Sequence, residues 1–305
     1  MKSWPRVITF GIAIIPVAIL LLIIGVMVSE SLFAINGLGL KHLFSTDFSG
    51  IYSSGMFLFG MLPAIWGTVL VVLVALAFAF PSSLALAILS SESPLPAVGR
   101  WLRGLLGMLA GIPPVIYALM EAVLFTLVIS PKFTGLGLAV LPHQRLPLEG
   151  STLLAGMLLA LLIIPFMAPL MDDAMRNVPA SMREASAGVG ASRWYTLRRV
   201  VIPWAAPGIF SALAIGALKA MGDVVIVGWI LGWESRLPQP LFDVLSKTAP
   251  LTSTGAGLVG GFQALTAIGF QESVAYFTGL LLLIMALIIL VFLTFLQKRF
   301  KQRFA

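Results

Sequence analysis

Six stretches of this chain, at about 7–28, 62–89, 105–129, 152–171, 209–231 and 274–296, are apolar over lengths that a water-soluble fold cannot bury. A helix needs about 20 predominantly apolar residues to cross a hydrocarbon core of about 30 Å. Across all 305 residues, 59% are hydrophobic and 10% are charged, whereas soluble domains carry about 25% charged residues. Lipid must therefore be part of the solvent, and the pattern predicts an all-α polytopic membrane protein of about six transmembrane helices. The first run follows Lys2 and Arg6 like a signal peptide, but its length exceeds the roughly 7–15 apolar residues of a secretory signal, so a retained helix is expected. With no cysteine in the chain, disulfides, thiolate metal sites and a cysteine nucleophile are excluded.

Loop cations set the expected orientation. With the N-terminus inside, the inner side carries Lys2, Arg6, Arg100, Arg103, Arg176, Arg183, Arg193, Arg198, Arg199, Lys298, Arg299, Lys301 and Arg303. The outer side carries only Lys41, Lys132, Arg145, Arg236 and Lys247, and Lys219 falls within a span. This predicts a multi-pass membrane protein with both termini cytoplasmic. The net charge of +7 then belongs to membrane insertion, not to nucleic-acid binding. The expected organisation is a first helix and outer loop over 1–57, a transmembrane domain over 58–300 and a cytoplasmic tail over 298–305. Outer loops are expected at about 29–57, 130–151 and 232–273, with one substantial inner loop at about 172–208.

The third span contains Gly111-Ile112-Pro113-Pro114, a break that membranes tolerate only where protein or a water-filled cavity satisfies the freed backbone. The inner loop is also patterned. Ser181-Met182-Arg183-Glu184 has the form of a capping box. Gly188 and Gly190 offer helix-ending positions, Ser192 can cap a second short helix through Arg199, and Pro203 and Pro207 are expected to stop that helix before the fifth span.

This inner loop resembles the signature loop of ABC importer permeases, in which E-A-A is followed after three residues by Gly and after nine more by I-x-L-P. Here Glu184-Ala185-Ser186 is followed by Gly190 and then by Val200-Val201-Ile202-Pro203. The resemblance implies the type I importer permease (MetI-like) fold with a cytoplasmic coupling helix that docks in a cleft of an ATPase subunit. Arg183, Glu184, Ala185, Ser186, Gly190 and Pro203 would form the coupling segment. Gly111-Ile112-Pro113-Pro114-Val115-Ile116-Tyr117 is similar to the G-I-P-S-V-V-Y-G segment of phosphate-importer permeases. Lys219-Ala220-Met221-Gly222-Asp223 resembles their R-A-L-G-E segment, with Lys for Arg and Asp for Glu, and Leu251-Thr252-Ser253-Thr254 resembles their T-L-T-S-T run. The Tyr117 form and the last outer loop favour the C-type permease. The resemblance implies a complex of a second permease, two ATP-binding subunits and an extracytoplasmic substrate-binding protein, with the phosphate likeness favouring a heterodimer.

Glu121, Lys219 and Asp223 fall inside the spans, where each charge costs about 2.5–3.5 kcal/mol on the insertion scale. Lys219 and Asp223 are four apart, so on a continuous helix they share a face. They either neutralise each other or line the translocation path. In the second case the ammonium attracts an oxyanion and the carboxylate accepts a hydrogen bond from a protonated phosphate oxygen, which sulfate lacks near neutral pH. Glu121, about two turns beyond the proline break, faces either the same path or a neighbouring helix. His42 and His143 have no carboxylate cluster at ligand spacing, so no metal site is expected. With no G-x-x-x-x-G-K-[ST] in the chain, ATP hydrolysis is expected in a partner, with neither a catalytic centre nor a cofactor in this chain. The competing readings are a permease for phosphonate, molybdate or sulfate, or a self-sufficient secondary carrier. Carriers often pair two broken helices, and the sequence offers no second counterpart of the Gly111–Pro114 break.

Overall fold

The computed structural model describes residues 4–46, 48–49, 58–93, 95–123, 150–233, 236–260 and 268–304. The long apolar runs form helices because a backbone in lipid must satisfy its own hydrogen bonds. In chain order these are α1 (Trp4–Leu38), a short α2 (Leu40–Leu43), α3 (Leu62–Glu92), α4 (Pro96–Ala110), α5 (Pro114–Val123), α6 (Thr152–Arg176), α7 (Ala180–Gly188), α8 (Arg193–Thr196), α9 (Ile202–Gly222), α10 (Val225–Leu231), α11 (Leu251–Gly260) and α12 (Ile268–Phe304). The residue pairs Phe48–Ser49 and Leu58–Phe59 form a minimal antiparallel ribbon after α2. Five helical stretches among the described residues are long and apolar enough to cross a membrane, and the bent pair α4–α5 makes up to six.

The six expected runs all fall on helices, with two changes of shape. The third span is two helices meeting at 91°, with α4 beginning at Pro96, and its expected end at 124–129 lies outside the described residues. The fifth does not run unbroken to Leu231. It ends at Gly222, passes through an extended Asp223 (φ −77°, ψ 119°) and resumes as α10. A second helix break therefore exists, contrary to the sequence expectation. Hydropathy misses it because the residues from Val224 to Leu231 continue the apolar run.

The main core forms where α3, α6 and α9 meet, around Val71, Leu158, Ile163, Met167, Met171 and Val201. Small residues set the approach distance in such bundles. Gly216 of α9 illustrates this, since a Cβ there would collide with the Met167 side chain of α6. A second cluster joins Ala34, Leu43 and Phe59 to Leu251 of α11 and Val274 and Phe277 of α12. By contrast, α1 presents Leu22 (67% exposed) and α12 presents Val291 (66% exposed) outward, as lipid-facing helices do.

The last expected outer loop, 232–273, is not simply a loop. It folds α11 inward, so that Thr248, Ala249, Leu251, Ser253 and Thr254 are buried. Ten residues are too few to span a bilayer, and the inserted backbone needs partners. The Leu251 N–H donates to Thr68 Oγ1 of α3 at 2.9 Å, and that hydroxyl in turn donates to the Ala64 carbonyl at 2.8 Å.

Candidate functional site

Two regions collect the residues singled out by sequence: the α6–α9 connection at the arginine-rich end of the bundle, and the break between α9 and α10 within it.

At the first, α7 is entered through Pro179, which holds the N-cap position without a side-chain cap (φ −55°, ψ 136°). The expected capping box is absent. Ser181 lies one residue inside the helix, because the extended backbone at Pro179 starts α7 at Ala180 and leaves the hydroxyl out of the capping position. The other end follows the expectation for Gly190. Its N–H donates to the Ala187 carbonyl at 2.9 Å, and the Ala191 N–H donates to the Ser186 carbonyl at 3.2 Å. This pair of bonds requires a left-handed residue between them, and Gly190 supplies it at φ +78°.

Ser192 then caps α8 by accepting the Tyr195 N–H at 3.3 Å. Pro203 and Pro207 do not stop this helix, contrary to expectation, since the chain is helical from Arg193 to Gly222. A π turn over Leu197–Val201 intervenes, with the Ile202 N–H reaching back to the Leu197 carbonyl. The wider turn leads directly into α9, with Pro203 as its second residue.

Side chains lock this hairpin. The Ser186 and Thr196 hydroxyls meet at 2.9 Å across the turn, a role for the serine that the sequence did not reveal. Arg183 donates from Nη1 to both Glu92 carboxylate oxygens, at 2.6 and 2.9 Å, and from Nη2 to the Met175 carbonyl at 2.8 Å. Glu184 and Ala185 are exposed, beside Val189 (85% exposed), Trp194 (61% exposed) and Tyr195. The Arg198 guanidinium covers the Trp194 ring at 5.6 Å. The outcome is a rigid helix pair showing an apolar, cationic surface.

At the second region, Lys219 lies in the last turn of α9 with Nζ 4.0 Å from the centre of the Phe166 ring. Asp223 stands beyond the helix end, so the pair does not share a helical face, and among the described residues no ion pair joins them. Asp223 Oδ1 instead accepts the Ile226 N–H at 2.8 Å, capping the start of α10. The Asp223 carbonyl accepts the Thr252 hydroxyl at 3.3 Å, which brings two separate sequence motifs into contact.

The Gly111–Pro114 break lies next in this arrangement, because α5 packs against α10 and α6. Pro113 and Pro114 lack the N–H groups that would continue the helix. The Leu109 carbonyl is taken instead by the Ile112 N–H at 3.2 Å and by the Tyr117 hydroxyl at 3.1 Å. Tyr117 thus clamps the bend it follows. The side chain of Glu121 lies outside the described residues, as do that of His42 and the whole of His143.

With this geometry in view, residues 83–305 match the family of binding-protein-dependent transport system inner membrane components. The chain belongs to that family. It is a multi-pass inner-membrane permease of an ABC importer. The permease is 29% identical over 264 residues to the phosphate transport system permease protein PstC of Pasteurella multocida, covering 83% of this chain and 78% of the relative. It is 28% identical over 304 residues to the PstC protein of Mesorhizobium japonicum, covering 94% of this chain and 88% of the relative. A bacterial ABC transporter involved in the import of the acidic polysaccharide alginate shares the fold, with a TM-score of 0.66 at 20% identity over 98% of both chains.

Proposed function

We propose that this permease passes inorganic phosphate from an extracytoplasmic binding protein into the cytoplasm, driven by ATP hydrolysis in partner subunits. The observation that carries the substrate reading is the Lys219 ammonium beside a helix break, in a chain whose relatives include several phosphate transport system permease proteins. Lys219 rests on an aromatic face, and among the described residues no carboxylate ion-pairs with it. A cation held this way is worth roughly 0.5–2 kcal/mol to the ring, a weak hold that an anion can displace. Weak binding suits a path site, since the substrate must also leave.

Lys219 contacts the oxyanion in this reading, and Asp223 accepts a hydrogen bond from a phosphate hydroxyl. The carboxylate keeps acceptor capacity for this after capping Ile226, since it offers about four lone-pair sites. Glu121 is a further candidate for the path. The α7–α8 pair faces the cytoplasm, with both termini on that side, and docks one of two ATP-binding subunits through Glu184 and the exposed Val189, Trp194 and Tyr195. A second permease completes the path as a heterodimer. The chain itself holds neither cofactor nor ATP site.

The test is uptake of labelled phosphate and sulfate by proteoliposomes carrying the complete complex and binding protein. Phosphate uptake that Lys219→Met abolishes, with no sulfate uptake, is the expected result. Uptake of another oxyanion alone discards phosphate. Uptake without any ATP-binding subunit favours a self-sufficient carrier.

A further inference from the structure

The Glu92 carboxylate ends α3, where a negative charge opposes the helix dipole, and it is half-buried against Arg183. Its position is fixed by a wider set of bonds at this end of the bundle. Arg176 Nη2 donates to the Ser90 carbonyl of α3 at 2.7 Å. Its Nε contacts both oxygens of the buried Asp172 carboxylate at 3.0 Å. Arg103 of α4 reaches Asp172 at 3.4 Å and the Ser90 hydroxyl at 3.2 Å. Two arginines therefore satisfy carbonyls at helix C-termini, Arg176 for α3 and Arg183 for α6, and the second also holds α7.

At its other end the same helix contacts the interior site. Thr68 Oγ1 of α3 accepts the Leu251 N–H, and the next residue, Thr252, holds the Asp223 carbonyl. Thr68 and Glu92 lie on one helix, unbroken through Pro81, roughly 36 Å apart at about 1.5 Å per residue. The route runs from α7 through Arg183 and Glu92 along α3, then through Thr68 and α11 to Asp223. It is separate from the covalent route, in which α8 continues through the π turn into α9.

We propose that α3 is a second transmission element between α7 and the α9–α10 break, with Glu92 and Thr68 as its positioning residues. The proposal rests on the reading that α7 docks an ATP-binding subunit and that the break lines the path. Movement of α7 pulls Glu92 through Arg183, and α3 delivers the displacement to α11. Both contacts are single side chains, so each can be cut without touching the docking face or Lys219.

The experiment uses the complete complex in proteoliposomes with phosphate-loaded binding protein, reading phosphate taken up per ATP hydrolysed. Docking is followed separately by placing a cysteine at Val189 in this cysteine-free chain and cross-linking it to the ATP-binding subunit. Glu92→Gln and Thr68→Val are expected to lower uptake per ATP by about fivefold or more, the scale of a typical coupling energy, with cross-linking unchanged. The exchanged pair E92R/R183E recovers part of the loss. Wild-type uptake per ATP in both single variants, with docking intact, overturns the proposal. So does a fall in uptake and ATP hydrolysis in proportion, which marks a merely structural role. Absence of any Val189→Cys cross-link in the otherwise wild-type chain removes the docking reading, and the proposal with it.

Discussion

Ser186 and Thr196 face each other with their hydroxyls 2.9 Å apart, tying the end of α7 to the end of α8. Ser186 is buried, so removing one partner leaves the other hydroxyl short of a bond. Ser186→Ala is expected to loosen the hairpin by about 1 kcal/mol. Thr196→Val should cost a similar amount, and the double variant little more than either. Hydrogen exchange of the α7 amides reads this directly, and fully additive losses would show that the two hydroxyls act separately.

Gly190 is a backbone requirement with no steric one, since a Cβ there meets nothing within 4 Å while φ is +78°. Gly190→Val is expected to destabilise the turn by about 1–2 kcal/mol, the cost of a left-handed residue with a side chain. Gly190→Asn should cost clearly less, because Asn visits that region more readily. Equal losses in α7 protection for both variants would contradict the αL assignment.

Tyr117 stabilises the right-angled bend by bonding the Leu109 carbonyl. Tyr117→Phe removes one bond but leaves the Ile112 N–H on that carbonyl. The expected loss is about 0.5–1.5 kcal/mol, read as a lower unfolding temperature of the detergent-solubilised permease. An unchanged temperature would mean that the Ile112 N–H bond and α5 packing hold the bend without the tyrosine hydroxyl.

Phe166 holds the Lys219 ammonium at 4.0 Å. Phe166→Leu keeps the bulk and removes the ring's electrostatic attraction, worth roughly 0.5–2 kcal/mol. If the ring competes with the anion, the apparent KM for phosphate uptake falls by about threefold or more. An unchanged KM would show that the ring does not compete with the anion.

Sequence reading succeeded where one physical demand dominated. Long apolar runs had to be helices, Pro113 and Pro114 had to interrupt one, and a glycine, Gly188 or Gly190, had to end another. It failed where two devices share one local pattern. An apolar run gives no sign that Asp223 caps a new helix in place of pairing with Lys219 along an old one. The S-x-x-E spacing at Ser181 could not reveal that Pro179 sets the start of α7. The burial of α11 was hidden because ten residues carry no spanning signal and depend on Thr68, far away in sequence. The side-chain ties Ser186–Thr196, Arg183–Glu92 and Tyr117–Leu109 are tertiary, and nothing in the local pattern announces them.

The central claim, that the α7–α8 hairpin of this permease delivers ATP-driven motion to a phosphate path, is tested most directly by ATP hydrolysis in liposomes. The liposomes hold this permease, its partner permease, the ATP-binding subunits and the binding protein. Hydrolysis is expected to rise when phosphate-loaded binding protein is added, and Glu184→Lys on the exposed face of α7 is expected to abolish that rise. Phosphate stimulation that persists undiminished in Glu184→Lys, or no stimulation by phosphate at all, would contradict the account.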